Sequence, residues 1–136
     1  MKCHVVIADD DPLIISLVSL RLEVAGYEVL SPRNGEDALS LIRKVRPSVA
    51  ILDIDMPGKS GIDVLDAIKS DPATDQMPVM ILSGGRDTET VMRAMGSGAG
   101  DYMVKPFQPD RLLDRINRMV QSSLAHRMQA PPVWEL

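Results

Sequence analysis

Short apolar runs alternate with longer mixed stretches along the whole chain. CHVVIA at 3–8 is apolar and β-branched, too short for a helix, and predicts a strand. Asp11-Pro12 then reads as an N-cap followed by Pro at the first helical position. Leu13, Ile14, Leu17, Val18 and Leu22 follow at helical spacing, and Gly26 ends the helix. YEVLS (27–31) alternates as a strand does. Asn34 caps a second helix, with Glu36 and Asp37 in the first turn, where the helix dipole favours negative charge. Ala38, Leu41, Ile42 and Val45 form its inner face. SVAILD (48–53) predicts a third strand, and residues 61–70, with Ile62, Leu65 and Ile68, a short helix. PVMILS (78–83) is a fourth strand and 88–95 another short helix, followed by Gly96, Gly98 and Gly100. DYMVK (101–105) is a fifth strand. Pro109 opens a last helix with Leu112, Leu113, Ile116, Met119, Val120 and Leu124 on one face.

Strand and helix thus alternate strictly, which calls for an α/β fold, a parallel sheet with helices on both faces. The strands are continuous apolar runs, as expected when both faces are covered. In such doubly wound sheets, ligands bind beyond the carboxyl ends of the strands.

Composition sets the class more than the chemistry. The 136 residues suit one domain with a sizeable core. Tyr27, Tyr102, Phe107 and Trp134 are the only aromatics, so the core is aliphatic, with nine Met as gap-fillers. A net charge of −4 without a basic cluster argues against direct nucleic-acid binding by this chain. No apolar run is long enough to span a membrane. The amino-terminal segment turns acidic too soon for a signal peptide. A single cysteine, Cys3, excludes an internal disulfide and fits a reducing, cytoplasmic setting. Its expected role is that of a small strand residue.

The strand ends carry the chemistry. Strands one, three, four and five end in Asp9-Asp10, Asp53, Ser83 and Lys105. One sheet edge would gather three carboxylates, a hydroxyl and an ammonium. Close carboxylates repel, so a compensating cation is needed. Mg²⁺ binds through one or two carboxylates plus waters and phosphate oxygens. A lysine, a hydroxyl and such an ion match the oxygens of a phosphoryl group, and the middle carboxylate can act as nucleophile. Each element alone is weak: an acidic pair before a helix is often capping, and Asp53 and Asp55 before Pro57-Gly58 could simply open a turn. The joint order of the elements carries the weight.

VVIADDDP, ILDIDMPGKSG, PVMILSGG and DYMVKPF, in this order and spacing, resemble the receiver domains of two-component response regulators, over nearly the whole chain to about Leu124. The resemblance implies a flavodoxin-like, CheY-like sheet of five strands in the order 2-1-3-4-5 with five helices. It implies a phosphorylation-dependent signalling switch rather than an enzyme with an external substrate. Asp53 would be the phospho-acceptor. Asp9, Asp10, Asp53 and the backbone carbonyl of Asp55 would hold Mg²⁺ (or Mn²⁺). Ser83 and Lys105 would bind phosphoryl oxygens. Ser83 and Tyr102 would switch, remodelling the surface of the fourth helix, fifth strand and fifth helix. The Lys105-Pro106 bond would be cis, which only an X-Pro bond makes cheap. The donor would be a histidine kinase or a histidine phosphotransfer protein. Gly84 stands where alanine is common, leaving more room, and the Asp55 side chain is expected to alter the phosphate lifetime. The three glycines at 96, 98 and 100 suggest either a segment that shifts or a loose loop.

D-x-D at 53–55 also resembles the opening motif of haloacid-dehalogenase phosphatases. That family has its D-x-D on the first strand and a later acidic pair; here the order is reversed. A pseudo-receiver is disfavoured because Asp10, Asp53, Ser83 and Lys105 are all present. The receiver is expected to span 1–124. Residues 125–136, AHRMQAPPVWEL, read as a tail or the start of a linker to an output domain. Trp134 there is either a docking group for a partner or for the domain itself, or, as preferred, an isolated aromatic. Asp101 and Arg115 match one charge pair of the winged-helix transcription factors whose receivers dimerise. Val91 and Gly100 break the set, so a phosphorylation-dependent homodimer remains one option beside an undetermined output.

Overall fold

The computed structural model describes residues 3–85 and 87–128, the last four as backbone. The elements are β1 (His4–Ala8), α1 (Pro12–Val24), β2 (Glu28–Leu30), α2 (Gly35–Val45), β3 (Val49–Asp53), α3 (Gly61–Ser70), β4 (Val79–Ser83), α4 (Thr88–Gly96), β5 (Asp101–Val104) and α5 (Pro109–Met128). All strand pairs are parallel, in the order β2-β1-β3-β4-β5. This is the doubly wound sheet that the alternation predicted.

Local chemistry sets the helix starts. Asp11 accepts a hydrogen bond from the Leu13 amide at 2.9 Å, with Pro12 opening α1. Asn34 accepts from the Asp37 amide at 2.8 Å. Ser60 and Asp63 form a reciprocal capping box at the start of α3, satisfying two otherwise unpaired amides.

Strand side chains alternate between two cores. Val6, Ala8, Ala50, Leu52, Val79 and Ile81 face α2, α3 and Ala94 of α4. Val5, Ile7, Val49, Ile51, Met80 and Leu82 face α1 and α5. The middle strands β3 and β4 are buried throughout, so the sheet edge at their carboxyl ends is a rigid platform.

Three local features add to the sequence reading. In α1 the core takes Val18 and Leu22 with Ile14 and Ile15 packed beside them, while Leu13 and Leu17 stand in solvent. The last helix does not stop at Leu124 but continues to Met128, and the side chain of Leu124 is largely exposed. Residues 129–136, with Trp134, lie outside the described residues. Of the three glycines, Gly96 ends α4 and Gly98 makes its cap. Gly98, at φ +101°, gives its amide to Met95 O and Ala99 gives its amide to Ala94 O, the paired bonds of a Schellman turn.

Candidate functional site

Strand register brings the predicted residues together. Ala8 lies beside Leu52, Asp53 beside Leu82, and Ser83 beside Val104, so Asp9, Asp53, Ser83 and Lys105 emerge along one edge. Lys105 is tied there by its amide, which donates to Ser83 O at 2.7 Å, and the Lys105-Pro106 bond is cis.

Asp9, Asp10 and Asp53 each offer a carboxylate oxygen, all within 4.8 Å of one another. Asp9 and Asp53 are buried; Asp10 faces solvent. Lys105 Nζ lies 2.9 Å from Asp9 Oδ2 and 3.1 Å from Asp53 Oδ2. Asp9 Oδ1 accepts from the Asp11 amide at 2.9 Å. Its enclosed Oδ2 accepts no directed hydrogen bond among the described residues, although Lys105 is at ion-pair distance. The Asp55 amide reaches Asp53 Oδ1 at 3.3 Å, and the Asp55 residue itself is exposed.

The electrostatics follow from burial. Burial pushes the Asp53 carboxyl up, Asp9 adds repulsion, and Lys105 with the Asp55 amide offsets only part, leaving it at about 6. Burial pulls the Lys105 ammonium down, but the Asp9 and Asp53 carboxylates outweigh it and hold it above the usual lysine value. With three ionised carboxylates and one ammonium the site keeps two excess negative charges. A divalent cation balances them, and the three converging oxygens together with the unsatisfied Asp9 Oδ2 are the donor set a hard ion takes.

Ser83 Oγ accepts from the Gly85 amide at 3.1 Å. Tyr102 hydroxyl donates to Gly85 O at 3.4 Å. Gly85 therefore stands between the two residues expected to switch. A methyl at Gly84 would meet nothing within 4 Å, so this position is open.

The sequence reading missed how glycines hold the acceptor. A Cβ on Gly61 would lie 2.4 Å from Asp53 O, while its amide donates to Ile54 O at 3.1 Å. A Cβ on Gly35 would lie 2.2 Å from Lys59 O. The first turns of α3 and α2 thus close onto the 54–60 segment that follows Asp53. A glycine at the first position of a capped helix, where it lowers helix propensity, was the available signal.

The fold and this acidic, lysine-bearing edge are those of a receiver domain. The family described as "Response regulator receiver domain" matches residues 5–117, and the chain belongs to that family, the receivers of two-component systems. It is 33% identical over 116 residues to the DNA-binding response regulator MtrA of Mycolicibacterium smegmatis, covering 85% of this chain and 50% of that protein. It is 35% identical over 131 residues to the transcriptional regulatory protein KdpE of Mycobacterium tuberculosis, covering 96% of this chain and 57% of that protein. The chain spans about half the length of these curated relatives. A CheY-like receiver domain from Methanospirillum hungatei superposes with a TM-score of 0.87 at 25% identity, covering 93% of this chain and 99% of the other. Among the described residues no helix is long and apolar enough to cross a membrane.

Proposed function

We propose that Asp53 accepts a phosphoryl group from the phosphohistidine of a kinase or phosphotransfer protein and that the acyl phosphate switches the α4–β5–α5 surface. The observation that carries this reading is a buried carboxylate, Asp53, held 3.1 Å from Lys105 at the mouth of a three-carboxylate cluster. An Asp53 oxygen attacks phosphorus, the P–N bond to the donor breaks, and the imidazole leaves. Asp9, Asp10 and Asp53, with the carbonyl of Asp55, would hold Mg²⁺. When bound, the ion neutralises charge that builds on the phosphoryl oxygens. Lys105 draws one phosphoryl oxygen. Ser83 turns the hydroxyl proton it donates to Gly85 O toward another, freeing the segment to which Tyr102 is hydrogen-bonded. Tyr102 then turns inward. The adjoining groove of about 500 Å³, lined by Tyr102, Phe107, Arg111 and Arg115 among others, changes shape with it.

The exposed Asp55 carboxylate stands beside the acceptor and sets the phosphate lifetime; Asp55→Ala would change the rate of phosphate loss. Asp101 and Arg115 bridge each other within the chain at 3.1 Å, so a dimer using either would have to break this pair. The names of the relatives, and the half of their length that this chain spans, support an accompanying DNA-directed output region.

Intact-protein mass after incubation with Mg²⁺ and acetyl phosphate tests the central step. One added phosphoryl group is expected in the native chain and none in Asp53→Asn or without Mg²⁺. Continuous hydrolysis of donor without an adduct would favour a phosphohydrolase instead.

A further inference from the structure

Away from the acidic edge, one groove concentrates positive charge. It is a cavity of about 540 Å³ lined by Glu36, Leu39, Ser40, Arg43 and Lys44 of α2 and by Lys59 of the following loop. The five α2 residues recur at steps of three, one, three and one, so they share one helix face. Leu39 is buried and forms the floor, and the other five residues are exposed and form the walls. Gly35 lets Lys59 reach this face. A Cβ on Gly35 would lie 2.2 Å from Lys59 O and 2.6 Å from Lys59 Cβ.

Three cations against one carboxylate leave the groove with two excess positive charges, in a chain whose net charge is −4. Arg43 Nε reaches Asp71 Oδ2 only at 4.0 Å, the outer limit of an ion pair. Lys44 and Lys59 form no ion pair among the described residues. Arg43 and Lys44 sit in the last turn of α2, where the helix dipole favours cations. Lys59 has the opposite setting. It precedes Ser60, the N-cap of α3, and packs on Gly35, the first residue of α2, and both helix starts disfavour a cation.

We propose that this groove docks a short acidic segment of a partner protein, with carboxylates on Arg43, Lys44 and Lys59 and an apolar side chain over Leu39. Charge complementarity selects the occupant. Glu36 closes one end, its carboxylate turned against Gly58, and Asp71 stands beside Arg43 at the other. A long polyanion such as a nucleic acid would meet carboxylates at both ends. The face from Glu36 to Lys44 is about 12 Å long at 1.5 Å per residue, the span of about four extended residues. The Ser40 hydroxyl, midway, can donate to or accept from a peptide group. The docking does not depend on phosphorylation of Asp53.

Fluorescence anisotropy of a labelled Glu-Asp-Leu-Glu-Glu peptide, titrated with the full chain at low ionic strength, tests this. Lys44→Gln/Lys59→Gln alters only exposed positions and should keep the native circular dichroism. Saturable binding is expected, weakened about tenfold in the double variant. Arg93→Gln on α4, which changes net charge away from the groove, and Asp53→Asn should both bind as the native chain does. A Gln-Asn-Leu-Gln-Gln peptide should not bind. Absent or non-saturable binding, affinity that survives the double variant, or an equal loss in Arg93→Gln would each overturn the proposal. So would tighter binding of a labelled oligonucleotide at the same lysines, or self-association of the chain that the double variant abolishes.

Discussion

Lys105 Nζ stands 3.1 Å from Asp53 Oδ2, and the same ammonium lies 2.9 Å from Asp9. One cation is divided between two buried carboxylates and fully serves neither. Asp53 therefore keeps a carboxyl near 6 despite a lysine at ion-pair distance.

That sharing predicts a pH dependence. The Asp53 carboxyl is raised in the fold, so the folded state binds the extra proton. Its favourable contribution is fully present below the unfolded value near 4 and is lost as pH rises through about 6. Without divalent cation, ionised Asp53 should lower stability at pH 7.5 by on the order of 2 kcal/mol. Asp53→Asn should melt higher than the native chain at pH 7.5 in EDTA, with the gap closing at pH 4. Equal melting points at both pH values would show that Lys105 compensates Asp53 completely.

Divalent cation should reverse the order. Mg²⁺ binds the folded site alone, so stability should rise with concentration, by about 2.7 kcal/mol at a hundred times the dissociation constant. The proton and the ion compete for Asp53, so apparent affinity should fall as pH drops below about 6. Asp10→Asn removes one negative charge of the cluster while leaving Lys105 and its two partners in place. Thermal melts across a Mg²⁺ series should show a much weaker response in this variant. An undiminished response would remove Asp10 from the ligand set.

Gly61 should be intolerant for a reason the sequence pattern does not display. A Cβ there would lie 2.4 Å from Asp53 O, a backbone atom that cannot swing aside. Gly61→Ala should cost about 1–3 kcal/mol through forced backbone displacement, and the displaced acceptor should take up phosphoryl groups more slowly. Gly84→Ala, with open space at the same test, should leave stability nearly unchanged. Urea unfolding of the two variants, with mass-detected phosphorylation, separates them. Equal stability would mean that α3 shifts freely away from β3.

The contrast between Gly61 and Asp53 shows where sequence reading succeeds and stops. Asp53, Ser83 and Lys105 announce themselves because each follows an apolar run, and a parallel sheet brings all such ends to one edge. The caps at Asp11 and Asn34 were legible for the same local reason. The close approach of Gly61 to Asp53 was not, because it depends on how α3 docks after the turn. Nor was the outward stripe of α1. Its helix is apolar on nearly every face, so periodicity does not tell which leucines meet the sheet: Leu13 and Leu17 share the helical spacing of Val18 and Leu22 yet stand in solvent.

Ser83 offers the sharpest division between structure and switching. Its hydroxyl is buried and, among the described residues, engages only the Gly85 backbone, accepting from the amide at 3.1 Å with the carbonyl at 3.4 Å. Ser83→Ala removes one neutral hydrogen bond, which should lower stability by only about 1 kcal/mol. The effect on phosphoryl transfer should be larger. One donor aimed at charge that develops in the transition state is worth about 100-fold in rate, reduced here because Lys105 remains. The phosphorylated variant should also leave Tyr102 in its ground-state position, since nothing draws the Gly85 segment toward the phosphate. Single-turnover phosphorylation by acetyl phosphate, paired with Tyr102 fluorine labelling, measures both. Slow uptake with a stationary Tyr102 is expected. A variant that accepts phosphate slowly yet still moves Tyr102 would show that Lys105, rather than Ser83, conveys the switch.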